Sequence, residues 1–160
     1  MPFRVAFVCS GNICRSPSAE AVLRRLVAER GLSDQIAVDS FGIGPWHVGQ
    51  PVDPRALTAL RSRGYDLTHT ARMIDSDDIA ERDLIVAIDR GHEQDLRALA
   101  YTVADGAKVR LLRSYDPAVG ADLDIPDPYY GGPTGFDVVL DMIEAGCRGL
   151  LDEVAGITAA

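Results

Sequence analysis

Residues 8–17 read Val8-Cys9-Ser10-Gly11-Asn12-Ile13-Cys14-Arg15-Ser16-Pro17, and the reading of this stretch decides the fold. Before it, Phe3 to Val8 alternate large and small apolar side chains with one charge, Arg4, which predicts a buried strand. After it the period changes: Ala19, Val22, Leu23, Leu26 and Val27 keep the three-four spacing of an amphipathic helix. Pro17 suits a first helical turn and Gly31 the stop. A strand that runs through small residues straight into a helix opens a strand–helix–strand unit.

The pattern repeats outward from there. Ile36 to Ser40 fits a second strand, and Asp53-Pro54 caps a helix carrying Ala56, Leu57 and Leu60 that Gly64 ends. Leu84 to Ile88 is an unbroken apolar run, as expected of a strand buried on both faces. A helix over Glu93 to Ala100, a strand at Val109 to Leu112 and a long final helix through Phe136 and Val154 follow. The alternation predicts an α/β fold: a doubly wound, four-stranded parallel sheet with helices on both faces and a ligand loop after the first strand. No linker, repeat or low-complexity segment interrupts it, so residues 1–160 are expected to form a single domain. The irregular stretch is Ser114 to Thr134, rich in Asp, Pro, Gly and Tyr. A loop that long in a compact domain is usually functional.

Composition narrows the classes. The chain is 47% apolar over 160 residues, enough for a real core, yet no stretch approaches the roughly 20 apolar residues of a membrane span. The N-terminus has no secretory pattern. Cys9, Cys14 and Cys147 are too few for a disulfide framework and suit a reducing, cytoplasmic setting, with export by a route that reads no signal left open. A net charge of −8 argues against a nucleic-acid partner and means that an anionic substrate must be captured by a local positive field.

In doubly wound folds ligands sit at the carboxyl ends of strands, and the first strand–helix turn is the favoured place. Here that turn is Cys9 to Arg15. The backbone N–H groups of Ser10, Gly11, Asn12, Ile13, Cys14 and Arg15 would converge as a concave nest backed by a helix N-terminus. Gly11 and Asn12 tolerate the left-handed backbone such a curl needs. Arg15 adds a planar fork matched to two oxygens of a phosphate. Cys9, at the strand end beneath the nest, should lose its proton early and so act as a nucleophile towards phosphorus, with Ser16 donating a hydrogen bond to the sulfur.

Competing readings are weaker. A nucleotide P-loop needs Gly-Lys-Ser/Thr where Cys14-Arg15-Ser16 stands. A zinc site needs a second ligand pair that Cys9 and Cys14 lack, and neither metal nor cofactor is expected. A single cysteine is usually an inert core thiol, but Cys-x5-Arg-Ser between strand and helix tells against that for Cys9. A phosphate monoester also needs its leaving oxygen protonated. Asp53 reads as a helix cap. Asp116 and Asp127 both lie in the long loop, where an Asp-Pro pair is commonly a turn former, and chemistry alone does not separate them. Asp127 is followed by Pro128-Tyr129-Tyr130, whose two rings could wall a slot for an aryl group. Trp46 is either the opposite wall or an ordinary core aromatic.

Val8-Cys9-x-Gly11-Asn12-Ile13-Cys14-Arg15-Ser16-Pro17, Trp46-His47-Val48-Gly49, Ser114-Tyr115-Asp116-Pro117 and Asp127-Pro128-Tyr129-Tyr130-Gly131 together resemble a low-molecular-weight protein tyrosine phosphatase over nearly the whole chain. The resemblance implies that Cys9 is the nucleophile, Arg15 the phosphate clamp and Asp127 the acid, then the base for water. It further implies that a strained Asn12 is braced by Ser16, Ser40 and His69, the last of which reads from the residues alone as a surface histidine. Cys14 resembles the family's second loop cysteine, which can pair reversibly with an oxidised nucleophile. Phosphotyrosine proteins are the implied substrates, phosphate or vanadate the loop ligands, and a monomer the implied state. One segment departs from the family: Asp39-Ser40-Phe41-Gly42-Ile43-Gly44 stands where Ser-Ala-Gly-Thr is usual, with Phe41 and Ile43 bulkier than expected.

Nucleophile, clamp and acid together favour an enzyme over a module that only holds phosphotyrosine. Thiol-coupled arsenate reductases share the loop but use added cysteines, whereas residues 89–96 here contain none. Phosphoarginine phosphatases of the family tend to carry Thr at the position of Ile13 and lack the paired tyrosines. Cys147 lies on the apolar face of the last helix and reads as core.

Overall fold

The computed structural model describes every residue except Gly131, Pro133 and Ala160, together with the side chain of Tyr130. Its elements run β1 (Phe3–Cys9), α1 (Arg15–Glu29), β2 (Ile36–Gly42), α2 (Pro54–Ser62), α3 (Ser76–Ala80), β3 (Leu84–Ala87), α4 (Arg90–Leu99), α5 (Val103–Gly106), β4 (Val109–Leu111) and α6 (Gly135–Ala159). The strands form one four-stranded sheet in the order β2-β1-β3-β4 with every pair parallel.

Period-two alternation along β1 separates the two cores that cover the faces of the sheet, and a third, smaller cluster gathers around Ile13, Val52 and Phe136. Val5, Phe7 and Cys9 face the layer of α1 and α6, packing with Leu23, Ile143 and Leu150. Ala6 and Val8 face the other side, with Ile79 of α3 and Leu96 of α4. The sheet is therefore covered on both faces, which explains the unbroken apolar run of β3: all four of its residues are buried.

This strand order reverses direction at β1. The chain moves from β1 to β2 on one side, then crosses back to lay β3 on the other side of β1. A crevice opens where the order reverses, between the loops that leave β1 and β3. Residues 9–15 leave β1 there, and Asp89 caps α4 just after β3, its side chain accepting the N–H of His92. The topology alone brings these segments together.

Local signals explain most boundaries. Asp53 caps α2 by accepting the N–H groups of Arg55 and Ala56, and Pro54 occupies the first turn. Burial opposes the charge of Asp53, but the Arg55 guanidinium and these two N–H groups hold its carboxyl below the usual range. Gly31 and Gly64 take positive φ just after α1 and α2, as residues that stop helices do. Two short helices escape the sequence pattern. α3 and α5 are only 5 and 4 residues long, too short to show a period, though capped by Asp75 and Thr102. Ser114 to Thr134 is not wholly structureless: 3-10 turns cover Leu112–Tyr115 and Pro128–Tyr130, and Ile125 is fully buried as an anchor between them. Among the described residues no helix is long and apolar enough to cross a membrane.

Candidate active site

The residues around Cys9 enclose a cleft of about 400 Å³ at the carboxyl end of β1. Its floor and sides are Cys9, Ser10, Gly11, Ile13, Cys14 and Arg15, and its rim is Trp46, His47, Asp127 and Tyr129. The Cys9 sulfur lies 3.0 Å from Ser16 Oγ and accepts the N–H of Asn12 at 3.3 Å. Ser16 Oγ also accepts from Asn12 Nδ2 and sits within reach of the Phe41 carbonyl. A serine hydroxyl has one proton, so against a thiolate it donates to sulfur, and against a thiol it can turn to Phe41.

The loop turns through Asn12, whose φ of 61° is the one positive value among the described non-glycine residues. That conformation is costly for an L-residue and persists only where the surroundings over-determine it. Asn12 is wholly buried, and its side-chain amide donates to Ser16 Oγ at 2.9 Å and Ser40 Oγ at 3.0 Å. Its carbonyl lies 2.9 Å from His69 Nε2, and its Oδ1 accepts the backbone N–H of Arg72 at 3.0 Å. The Ser40 hydroxyl in turn donates a hydrogen bond to the buried Glu20 carboxylate at 2.6 Å. So Ser16, Ser40 and His69 do meet around Asn12, and His69 is no surface residue: its side chain is 7% exposed.

Gly42 also serves the loop. A Cβ there would stand 2.9 Å from the Ser10 carbonyl, so the end of β2 must be glycine for the loop to pass over it. The bulk of Phe41 and Ile43 falls elsewhere. Phe41 is buried in the second core, with the Arg72 and Arg82 guanidinium groups over its ring at 4.0 and 4.7 Å, and both of these arginines pair with Asp39. Ile43 packs against that same core. Neither lines the cleft, and the hydrogen bonds of Asn12 are intact around them.

Arg15 is 4% exposed and held from several sides. Its Nη1 donates to Asp89 Oδ2 at 3.1 Å and to the Ile125 carbonyl at 2.9 Å. Its Nη2 donates to Ser10 Oγ at 3.3 Å and stands 3.6 Å from Asp127 Oδ2. Asp127 is more exposed, at 37%, and its other oxygen accepts the N–H of Tyr129. Asp116 is absent from the cleft and accepts the N–H of Ala118, the bond of a turn former.

Trp46 is 66% exposed, so it is not a core aromatic; it stands at the rim. Tyr129 lies across the cleft mouth, with the Arg55 guanidinium 5.1 Å from its ring centre and His47 tilted against it at 5.9 Å. The Tyr130 side chain, expected beside it, lies outside the described residues. Cys14 also reaches the cleft but is buried, and burial first, then the neighbouring Asp53, raises its thiol well above the ordinary value. Cys147 is fully buried, and burial, with Glu144 adding to it, raises its thiol as well. Among the described residues no group of three or more His, Cys, Asp and Glu side chains is arranged to hold a metal ion.

Four residues at this site carry no obvious sequence signal: Glu20, Arg72, Asp89 and His92. A faint trace belongs to Asp89, a capping residue directly after a buried strand at the topological crevice. Glu20 could have been suspected as a charge one turn after Ser16 on an otherwise inward-facing stretch. Nothing local announces Arg72, whose backbone does the binding.

A thiol beneath an arginine at the reversal point of a doubly wound sheet is an anion-handling site. The chain belongs to the low molecular weight phosphotyrosine protein phosphatase family, whose model matches residues 4–158. It is 55% identical over 155 residues to a low molecular weight protein-tyrosine-phosphatase of Streptomyces coelicolor, covering 96% of this chain and 94% of that one. Its structure superposes on that of a protein tyrosine phosphatase from Entamoeba histolytica with a TM-score of 0.92 at 32% identity, covering 96% and 97% of the two chains. It is also similar to a Drosophila arginine phosphatase, at TM-score 0.87 and 37% identity, covering 94% and 96%.

Proposed function

We propose that this protein hydrolyses phosphotyrosine in proteins, and simple aryl phosphates, through a phosphocysteine at Cys9. One juxtaposition carries the reading: Cys9 Sγ, the Arg15 guanidinium and the Asp127 carboxyl border a single cleft. Arg15 and the loop N–H groups hold the phosphate oxygens. The Cys9 thiolate attacks phosphorus, forming the S–P bond as the P–O bond to the aryl group breaks. Asp127 donates its proton to the departing phenolate oxygen. It then accepts a proton from water, which attacks phosphorus as the S–P bond breaks and the thiolate leaves. Ser16 steadies the sulfur in both steps. The donors are fixed before charge develops, which is the efficient arrangement for a transition state.

An aryl ester suits the slot between Trp46 and Tyr129, and the apolar Ile13 at its floor favours a ring over a charged guanidino group. Residues 1–160 act as one catalytic domain in this account, in a cytoplasmic setting, as a monomer, without metal or nucleic acid. Phosphate and vanadate are its competitive loop ligands, and Cys14, the second cysteine of the loop, would pair with an oxidised Cys9.

The test is release of nitrophenol from p-nitrophenyl phosphate and of phosphate from phosphotyrosyl and phosphoarginyl peptides. Turnover of the phosphotyrosyl peptide, abolished in Cys9→Ser by on the order of 10⁵-fold, is expected. Binding of phosphotyrosine without turnover would make the protein a binding module. Preference for the phosphoarginyl peptide would reassign the substrate.

A further inference from the structure

Ser10 Oγ lies 2.9 Å from Nε2 of His92, a buried histidine on the first turn of α4 that the chemistry above does not use. The same oxygen accepts an N–H from Arg15 Nη2 at 3.3 Å. The other nitrogen of His92, Nδ1, makes no hydrogen bond and stands 3.2 Å from Asp89 Oδ1. Asp89 in turn takes an N–H from Arg15 Nη1 at 3.1 Å. The four side chains close a circuit: Arg15 to Ser10, Ser10 to His92, His92 to Asp89, and Asp89 back to Arg15.

The proton positions follow from the chemistry of the groups. Arg15 can only donate, so Ser10 receives there and has its own proton to give. Nδ1 faces a carboxylate, where a bare lone pair would be repelled and an N–H attracted. Both ends agree: Nδ1 carries the proton and Nε2 accepts from Ser10. We propose that His92, as the neutral Nδ1–H tautomer, is a positioning residue that orients the Ser10 hydroxyl and through it the phosphate-binding edge of Arg15. Burial, aided by Arg15 and opposed by Asp89, pushes its imidazole down to about 4, so the neutral form persists at working pH. The proposal rests on the phosphatase reading, since it assigns a part to the same clamp.

Its direct test is the ¹⁵N spectrum of the His92 imidazole. Nδ1 protonated and Nε2 bare, without titration between about pH 5.5 and 8, is expected; a proton on Nε2 overturns the proposal. The functional test is the dissociation constant of inorganic phosphate. Ser10→Ala and His92→Leu should each weaken it by about tenfold, the weight of one hydrogen bond to a charged group, and raise KM more than they lower kcat. His92→Gln, whose amide oxygen can take the Ser10 proton, should recover most of the loss. The double variant should lose little more than either single one. Should His92→Leu fail to fold, the spectrum and Ser10→Ala still decide. Wild-type protein that ignores phosphate sinks the phosphatase reading itself. Wild-type binding that Ser10→Ala leaves unchanged sinks only the circuit.

Discussion

The two segments that meet over the cleft are built in opposite ways. Residues 9–15 form a short turn whose centre, Asn12, is wholly buried and takes part in five hydrogen bonds, to Cys9, Ser16, Ser40, His69 and Arg72. Residues 114–129 form a long arm that delivers Asp127 half-exposed, held among the described residues by the Tyr129 N–H and the distant edge of Arg15. The arm's firm anchor is Ile125, fully buried, with its carbonyl on Arg15 and its N–H on the Ile88 carbonyl. Strain needs enclosure, so the phosphate side of the site is locked into the core. Proton transfer needs access to solvent and to leaving groups of varied shape, so the acid stands on the surface.

That contrast can be broken by mutation. Asp127→Ala should lower kcat for an aryl phosphate by about 10²–10⁴-fold while leaving phosphate affinity and thermal stability near wild type. Asp116→Ala should change kcat by less than about twofold, because its carboxylate serves a turn. Steady-state kinetics on the pair checks both, and a larger loss in Asp116→Ala would reverse the assignment.

The opposite result is expected on the other side. Asn12→Ala leaves the Arg72 N–H and the Ser16 and Ser40 hydroxyls short of a buried partner, at a cost of about 1–3 kcal/mol. Thermal melting should register a fall of several degrees, at about 2–4 °C per kcal/mol for a chain of this size. A melting point like wild type would show that the loop stands without its central brace.

A smaller, pH-dependent effect separates the two sides further. His92 titrates near 4 in the folded protein against 6.5 for the free side chain, and Asp89, Arg15, Asp95 and Asp127 all bear on it. The unfolded chain therefore takes up this proton first as pH falls. The stability contribution is complete above about pH 6.5, declines through the window below it, and levels off near pH 4. Denaturant unfolding of wild type and His92→Gln between pH 7 and 4.5 should diverge accordingly, with the variant the less pH-sensitive.

Much of the frame was legible in the residues. Four strands and the long helices announce themselves because apolar period and caps agree, as at Asp53-Pro54 and Leu84 to Ile88. α3 and α5 did not, since helices this short have no period to read. Within the site, Cys9, Arg15 and Asn12 are adjacent in sequence and share a motif, so their meeting could be anticipated. The supports are not adjacent. Arg72, Asp89 and His92 reach the loop only because the sheet folds their segments onto it, and Glu20, one turn after Ser16, acts on it through Ser40 of the neighbouring strand. His69 looks like a surface residue until its bond to the Asn12 carbonyl is seen. Trp46 could not be assigned to rim or core from composition, because a lone aromatic serves either.

The most direct measurement is rapid acid quench of Asp127→Ala during turnover of a ³²P-labelled aryl phosphate, followed by peptide mapping. Loss of the base should slow hydrolysis of the intermediate, so label is expected as phosphocysteine on the peptide containing Cys9, and absent from Cys9→Ser. Label on another residue, or turnover in the wild type with no phosphoenzyme at any quench time, would contradict the account.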